Sequence, residues 1–195
     1  MWKNVGLDKW YRLLHPRPVV VIVSGKDLDD YSCMAASWVM PVSRRPPIVA
    51  VAIARSRYTY EKIVESREFN LCILGVEHVD KVDYLGTVSG RDVRDKISAS
   101  KLTKAKARKT SPPIIAESIA VVECKLRDVV EAGDHDLVLG DILEAYVGEG
   151  YSPGTIEEYP LPLRVSGDLY AKLARDKTVV IDEFQRYIRH IEHTY

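Results

Sequence analysis

The chain has 195 residues, 46% of them hydrophobic, which is enough for a full core, and its 28 basic residues balance 28 acidic ones. That balance gives no global attraction to nucleic acid or to an anionic membrane surface, and no apolar run approaches the roughly 20 residues that span a bilayer. Residues 1–18 carry charges throughout without an apolar h-region, so they do not read as a signal peptide, and the scattered Cys33, Cys72 and Cys124 read as reduced core thiols of a cytoplasmic protein.

Residues 1–15 read as a short helix, since Leu7, Trp10, Tyr11 and Leu14 recur at helical spacing until Pro16 and Pro18 stop the pattern. The β-branched run Val19–Ser24 is a buried strand, Lys26–Asp30 a polar turn, and Ser32–Met40 a second strand completing a hairpin. Ile48–Ala54 is a third strand, and Tyr58–Ser66 a helix with Thr59 at its N-cap. Phe69–Leu74 is a strand, His78–Leu85 a short helix, and Ser89–Ile97 a turn that becomes helical at Asp92. Residues 98–113 are polar and basic and read as a surface excursion. Ser118–Val130 and His135–Val147 form a long hairpin joined by Ala132-Gly133-Asp134; Leu163–Val165 adds a strand, and Phe184–Ile191 a terminal helix. The expected architecture is a single domain spanning 1–195, core about 15–170 with a helical C-terminal tail. It is mainly β with added helices: adjacent hairpins argue for an antiparallel sheet whose length and curvature favour a closed barrel. Strict βαβ alternation and GxGxxG are absent, which argues against a Rossmann fold.

Four constellations carry possible chemistry. Small residues, among them Ser32 and Ser37, lead into Trp38, Val39 and Met40; the segment serves equally as core or as an apolar wall with backbone groups against a planar ring cofactor. Arg55 to Thr59 gathers two guanidinium groups and two hydroxyls at a helix start, either a capped helix with solvated arginines or a phosphate cradle. The Ser89-Gly90-Arg91 turn can hold a phosphate or a ribityl chain. His135, between Asp134 and Asp136, sits in what is at least a hairpin turn, where flanking carboxylates favour a protonated ring able to meet a ligand. The basic run Lys101–Lys109 lacks the interleaved aromatics of a nucleic-acid surface and reads as solvated, with a nicotinamide groove as a further option. His190 and His193 lack further ligands, so no metal is expected.

Taken in order, HPRPVVVIVS at 15–24, SWVMPVSRRPPIVAVAI at 37–53, RYTYEKIVESREFNLCIL at 57–74, GTVSGRDVRDKI at 86–97, and AVVECKL with GDHDLVLGDI resemble the flavin reductase-like, FMN-binding split-barrel family. The resemblance implies a six-stranded antiparallel Greek-key split barrel, a homodimer, and FMN near the subunit interface. It puts the flavin-contacting segment on Ser32–Met40, the phosphate-contacting turns on Arg57, Tyr58 and Thr59 and on Ser89, Gly90 and Arg91, and the substrate side of the flavin at His135. This sequence departs from the family's NxAP pattern, with Ser32 in place of Asn and Ala35 in place of Pro. The implied activity is NAD(P)H:flavin reduction, with NADH or NADPH passing hydride to bound FMN. The alternative is a flavoredoxin-like FMN electron carrier served by a redox partner protein.

Asn4, Asn70 and Gln185 are the only side-chain amides, beside 29% charged residues, a composition suited to a thermophilic host. The purified protein is expected to melt above the roughly 45–65 °C of mesophilic domains; a calorimetric midpoint inside that range removes the inference.

Overall fold

The computed structural model describes residues 2–149, 151, 161–166 and 169–171. Arg17–Pro18 (β1) is followed by Val20–Gly25 (β2), Tyr31–Ala36 (β3), Val39–Arg44 (β4) and Pro47–Ile53 (β5). Helix Tyr58–Ser66 (α1), strand Glu68–Ile73 (β6), helix Val79–Thr87 (α2) and the single turn Lys96–Ala99 (α3) come next. Lys104–Ala105 (β7) and Ile114–Ile115 (β8) precede the long strands Ala120–Ala132 (β9) and His135–Val147 (β10), and Leu163–Ser166 (β11) and Leu169–Ala171 (β12) complete the set. The main sheet is antiparallel throughout, in the order β3-β2-β6-β9-β10-β5-β4; β1, β11 and β12 form a small second sheet.

The expected strand Ser32–Met40 is interrupted at Ser37-Trp38. Its first half, β3, pairs with β2 at one edge of the sheet, and its second half, β4, pairs with β5 at the other. Counted as one broken strand, β3 and β4 give the expected six; counted separately they give seven. The two edges are joined by covalent chain rather than by a ladder, so the barrel is split and not closed by hydrogen bonds.

β2 is buried at every position because it separates two cores. Val19, Val21 and Val23 pack with Tyr31, Leu85 and Ile97, while Val20 and Ile22 pack with Val51, Ile63, Phe69 and Leu126. Burying each such side chain contributes about 1.5–3 kcal/mol, which is why a continuous β-branched run, rather than an alternating one, occupies this strand. The β9–β10 turn has Gly133 at φ +81°, a conformation that a Cβ disfavours and that suits the first position of a two-residue hairpin loop. All three cysteines are unlinked and buried; burial pushes the Cys33 and Cys124 thiols up to about 12 and Cys72 to about 11.

Four further expectations are corrected. The helix over 1–15 reduces to a 3-10 turn at Trp10–Leu14, since so short a segment ahead of two prolines forms few helical bonds of its own. Thr59 does not cap α1: Arg57 precedes the helix without a side-chain cap, and Thr59 turns inward to Ser32. Helical structure begins not at Asp92 but after Asp95, whose carboxylate accepts from Ser98 N–H at 3.1 Å. Residues 98–113 are not a solvated excursion, for Leu102, Ala107, Thr110, Pro112 and Pro113 are buried. That segment folds over Glu123, which is fully buried and accepts backbone N–H groups of Arg108, Lys109 and Thr110 at 2.6–2.9 Å and the Tyr146 hydroxyl at 2.8 Å. Burial works against the charge on Glu123, yet the converging donors keep its pKa below the ordinary glutamate value. Asn70 completes the clasp by donating to Pro112 O at 2.9 Å and accepting from Thr110 Oγ1 at 2.7 Å. The expected helix Phe184–Ile191, with His190 and His193, lies outside the described residues.

Asp95 supplies the acid sensitivity of this framework. Burial opposes its ionisation, but the Tyr31 hydroxyl at 2.6 Å, Ser98 N–H and Lys104 Nζ at 3.1 Å hold its pKa down at about 2. A depressed carboxylate pKa stabilises the fold fully above its unfolded value of about 3.9 and loses that contribution as pH falls toward 2. The melting temperature of Asp95→Asn is therefore expected to lie below wild type at pH 6 and to converge on it as pH approaches 2.

Candidate functional site

Two bends meet on one side of the barrel. The first is Ser56 to Thr59, where the chain leaves β5 and enters α1; the second is Ser89 to Arg91, following α2. Arg91 ties them together: its Nη1 donates to Ser56 O at 3.2 Å, its Nη2 pairs with Glu61, and its guanidinium lies 5.1 Å from the centre of the Tyr58 ring. Gly90 is required by this approach, because a Cβ there would stand 2.7 Å from Ser32 Oγ and 3.0 Å from the Tyr58 ring. Ser32 Oγ and Thr59 Oγ1 share one hydrogen bond of 2.9 Å, which leaves one hydroxyl proton of the pair to donate elsewhere. Ser89 Oγ accepts from Arg91 N–H at 3.1 Å and keeps its own proton.

The bends enclose a cavity of about 90 Å³, and its far wall holds a residue that sequence reading passed over. Lys96, 2% exposed, donates from Nζ to Cys33 O at 2.7 Å and to Leu85 O at 2.6 Å. It has no carboxylate within ion-pairing distance among the described residues. Burial pulls its pKa below the ordinary lysine value, and nearby Arg57 pulls in the same direction. A buried ammonium with two of its three donors used, beside a second cation and the uncapped start of a nine-residue helix, favours an anion of phosphate size. Nothing in the DKI triplet marks this lysine as buried; only the packing of α3 beneath β3 does.

Arg55 does not join the cradle. Its Nε and Nη2 form a two-pronged pair with Asp136 at 2.8–2.9 Å, and Nη2 also reaches Glu131 at 2.9 Å. Asp136 further accepts the Tyr60 hydroxyl at 2.6 Å; Arg55 first and Tyr60 second hold its pKa below the usual carboxylate range. Strand alternation thus turns Asp136 away from His135, leaving Asp134 as its acidic neighbour, with Oδ1 2.9 Å from Nδ1. The basic run is committed elsewhere too. Lys104 binds Asp95 at 3.1 Å, and Arg108 stacks 3.9 Å from the Tyr146 ring centre and pairs with Glu144 at 3.6 Å, so these two cations do not line a groove.

The second part of the site is aromatic. Trp38, at the strand break, stacks on His135 with ring centres 4.8 Å apart and planes at 29°, so two separately predicted residues come together. Tyr11 packs on Trp38 at 5.8 Å, and the Arg17 guanidinium lies 5.4 Å from its ring. A cavity of about 300 Å³ lies between the 3-10 turn and Ser37, Trp38, Val39 and Met40, and one of about 680 Å³ opens beside His135. Trp10, Tyr11 and Arg17 are contributors that sequence reading missed: the helical spacing of Trp10 and Tyr11 pointed to a local helix, and Arg17, between Pro16 and Pro18, carried no local signal. Cys33 and Met34 border the phosphate-sized cavity and Ser37 and Trp38 the aromatic one, so about 13 Å of chain separates Met34 from Trp38 at some 3.3 Å per residue. A ligand with a phosphate at one end and a flat ring at the other fits this arrangement.

The sequence profile described as "Flavin reductase like domain" matches residues 11–164. An uncharacterized protein of Aeropyrum pernix is 39% identical over 159 residues, covering 80% of this chain; the match spans 60% of that protein's own length. An NADH:riboflavin 5′-phosphate oxidoreductase of Streptomyces pristinaespiralis is 31% identical over 118 residues, covering 60% of this chain and 64% of its own. Among solved structures, the flavoredoxin of Desulfovibrio vulgaris superposes with a TM-score of 0.79 at 24% identity, covering 93% of this chain and 98% of its own, a likeness of fold.

Arg57→Ala and Lys96→Met are each expected to weaken FMN binding roughly ten- to a hundredfold, the size of a lost charge-assisted contact. Riboflavin, which lacks the phosphate, should lose less than about threefold. Fluorescence titration of both flavins checks this; equal losses for the two ligands would misplace the cradle.

Proposed function

The chain belongs to the flavin reductase-like domain family, and from that we propose that it is an FMN-dependent oxidoreductase that draws hydride from NADH or NADPH. The observation that carries this reading is the buried, uncompensated Lys96 in the cavity where both bends converge. Arg57, Lys96, Ser89 and the Ser32–Thr59 hydroxyl pair hold the phosphate, Tyr58 and Gly90 shape the cradle, and Arg91 locks its two halves together. Trp38 and the backbone of Ser37, Val39 and Met40 support the ring, and His135, stacked on Trp38, borders the cavity open to the nicotinamide. The chemistry that bound FMN supplies is acceptance of a hydride and return of its electrons to an acceptor. The protein's part is to fix the approach of two flat rings and to exclude water; no side chain has to serve as acid, base or nucleophile.

We place the protein in the cytoplasm, which its three unlinked thiols support. We also take it to act as a homodimer, a reading supported by the half-exposed Met40, Val42 and Leu143 on β4 and β10. No helix among the described residues is long and apolar enough to cross a membrane.

Purified protein should be yellow, with the absorbance of bound flavin, and anaerobic addition of NADH or NADPH should bleach it. Bound FMN that neither nucleotide reduces would leave an electron carrier fed by a redox partner protein; a colourless protein that FMN cannot reconstitute would overturn flavin binding itself.

A further inference from the structure

Arg17 is the one charged residue among those lining the aromatic cavity, whose other walls include Trp10, Trp38, Ala52 and Leu137. Its guanidinium is fixed from two sides. Nη2 donates to Tyr11 O at 3.1 Å, and the group lies 5.4 Å from the Trp38 ring centre. Nε is buried without an acceptor, and Arg17 enters no ion pair among the described residues. The acidic residues Asp8 and Asp134 border the other cavity, on the His135 side. The surroundings of Arg17 are themselves positive: burial first, then Arg17, Arg164 and Arg12, lower the pKa of His15. A cation held rigidly among aromatic and aliphatic walls, with no counter-charge of its own, stabilises whichever state of a neighbouring ligand carries more negative charge.

Resting on the flavin-binding reading above, we propose that Arg17 is the counter-charge for reduced flavin and sets the potential of the site. The charge balance requires one. Hydride transfer breaks the C–H bond of the reduced nicotinamide and moves two electrons and one proton onto the flavin. The nicotinamide leaves with one more positive charge, and the flavin keeps one added negative charge spread over its ring. Arg17 meets that charge without moving, because Tyr11 O and the Trp38 face already hold it in place. Oxidised flavin, with a neutral ring, gains far less from the same guanidinium.

The test measures affinity and potential rather than turnover. Dissociation constants for oxidised FMN and the two-electron midpoint of the bound flavin, by dye equilibration, are compared for wild type, Arg17→Gln and Arg17→Lys. Arg17→Gln should weaken reduced FMN about tenfold relative to oxidised FMN, which at two electrons is a midpoint lower by about 30 mV. Oxidised FMN should lose less than about threefold, and Arg17→Lys, which keeps the charge, should retain most of the wild-type midpoint. An unchanged midpoint in Arg17→Gln, an equal loss of both oxidation states, or a lysine variant that falls as far as the glutamine variant would each overturn the assignment. A wild-type protein that binds no flavin overturns the underlying reading, whereas one that binds flavin with a midpoint indifferent to residue 17 overturns only this inference.

Discussion

The chain leaves β3 at one edge of the sheet and enters β4 at the other, with only Ser37 and Trp38 between them. A sheet that curls this far brings its edges close, and most barrels then bond them together. Here the edges are linked by two residues of backbone, one of which carries the largest side chain available. Trp38, whose carbonyl accepts from Ala52 N–H of β5 at 2.9 Å, stands at the seam and meets His135 at the start of β10 and Tyr11 of the N-terminal turn. The aromatic cavities lie along this seam, where no ladder joins β3 to β4. A sheet edge, ordinarily a hazard for association, becomes the place where a flat molecule can rest.

Two cations share one feature, the buried Lys96 and the partly buried Arg17: neither has an ion-pair partner among the described residues. Lys96 is supported by two carbonyls and Arg17 by one, which satisfies part of their hydrogen-bonding capacity but none of their charge. Elsewhere the protein does the opposite. Arg55 has Asp136 and Glu131, Lys62 has Asp30, and Arg127 has Asp141. The contrast sets structural ion pairs apart from Lys96, whose isolated buried charge costs several kcal/mol unless something neutralises it.

Much of this architecture was legible in the sequence. The long hairpin, β2 and α1 follow from β-branched runs, a Gly-containing turn and helical periodicity, and the two phosphate-suited bends announce themselves by Arg, Ser, Thr and Gly. What the sequence hid was non-local. The break in the Ser32–Met40 strand depends on which edge each half pairs with, and local propensity is the same on either side. The diversion of Arg55 to Asp136 depends on β5 lying beside β10, which no local pattern encodes. Lys96 is an ordinary lysine between an aspartate and an isoleucine until α3 is pressed under β3. Residues 98–113 read as a solvated basic loop because most of their side chains are polar or charged, whereas the burial is carried by a few interspersed residues, Leu102, Ala107, Thr110 and the two prolines.

The way that last segment is fastened has a consequence for how the protein can change over generations. Glu123 grips main-chain N–H groups of residues 108–110, and Asn70 grips the carbonyls of Pro112 and Pro113. Peptide groups are the same whatever side chain they bear. Lys106 and Lys109, both exposed, can therefore drift to neutral types with little strain on the framework, provided the two clasping residues stay. This flank is thus free to acquire a new electrical character while its fastening is left undisturbed.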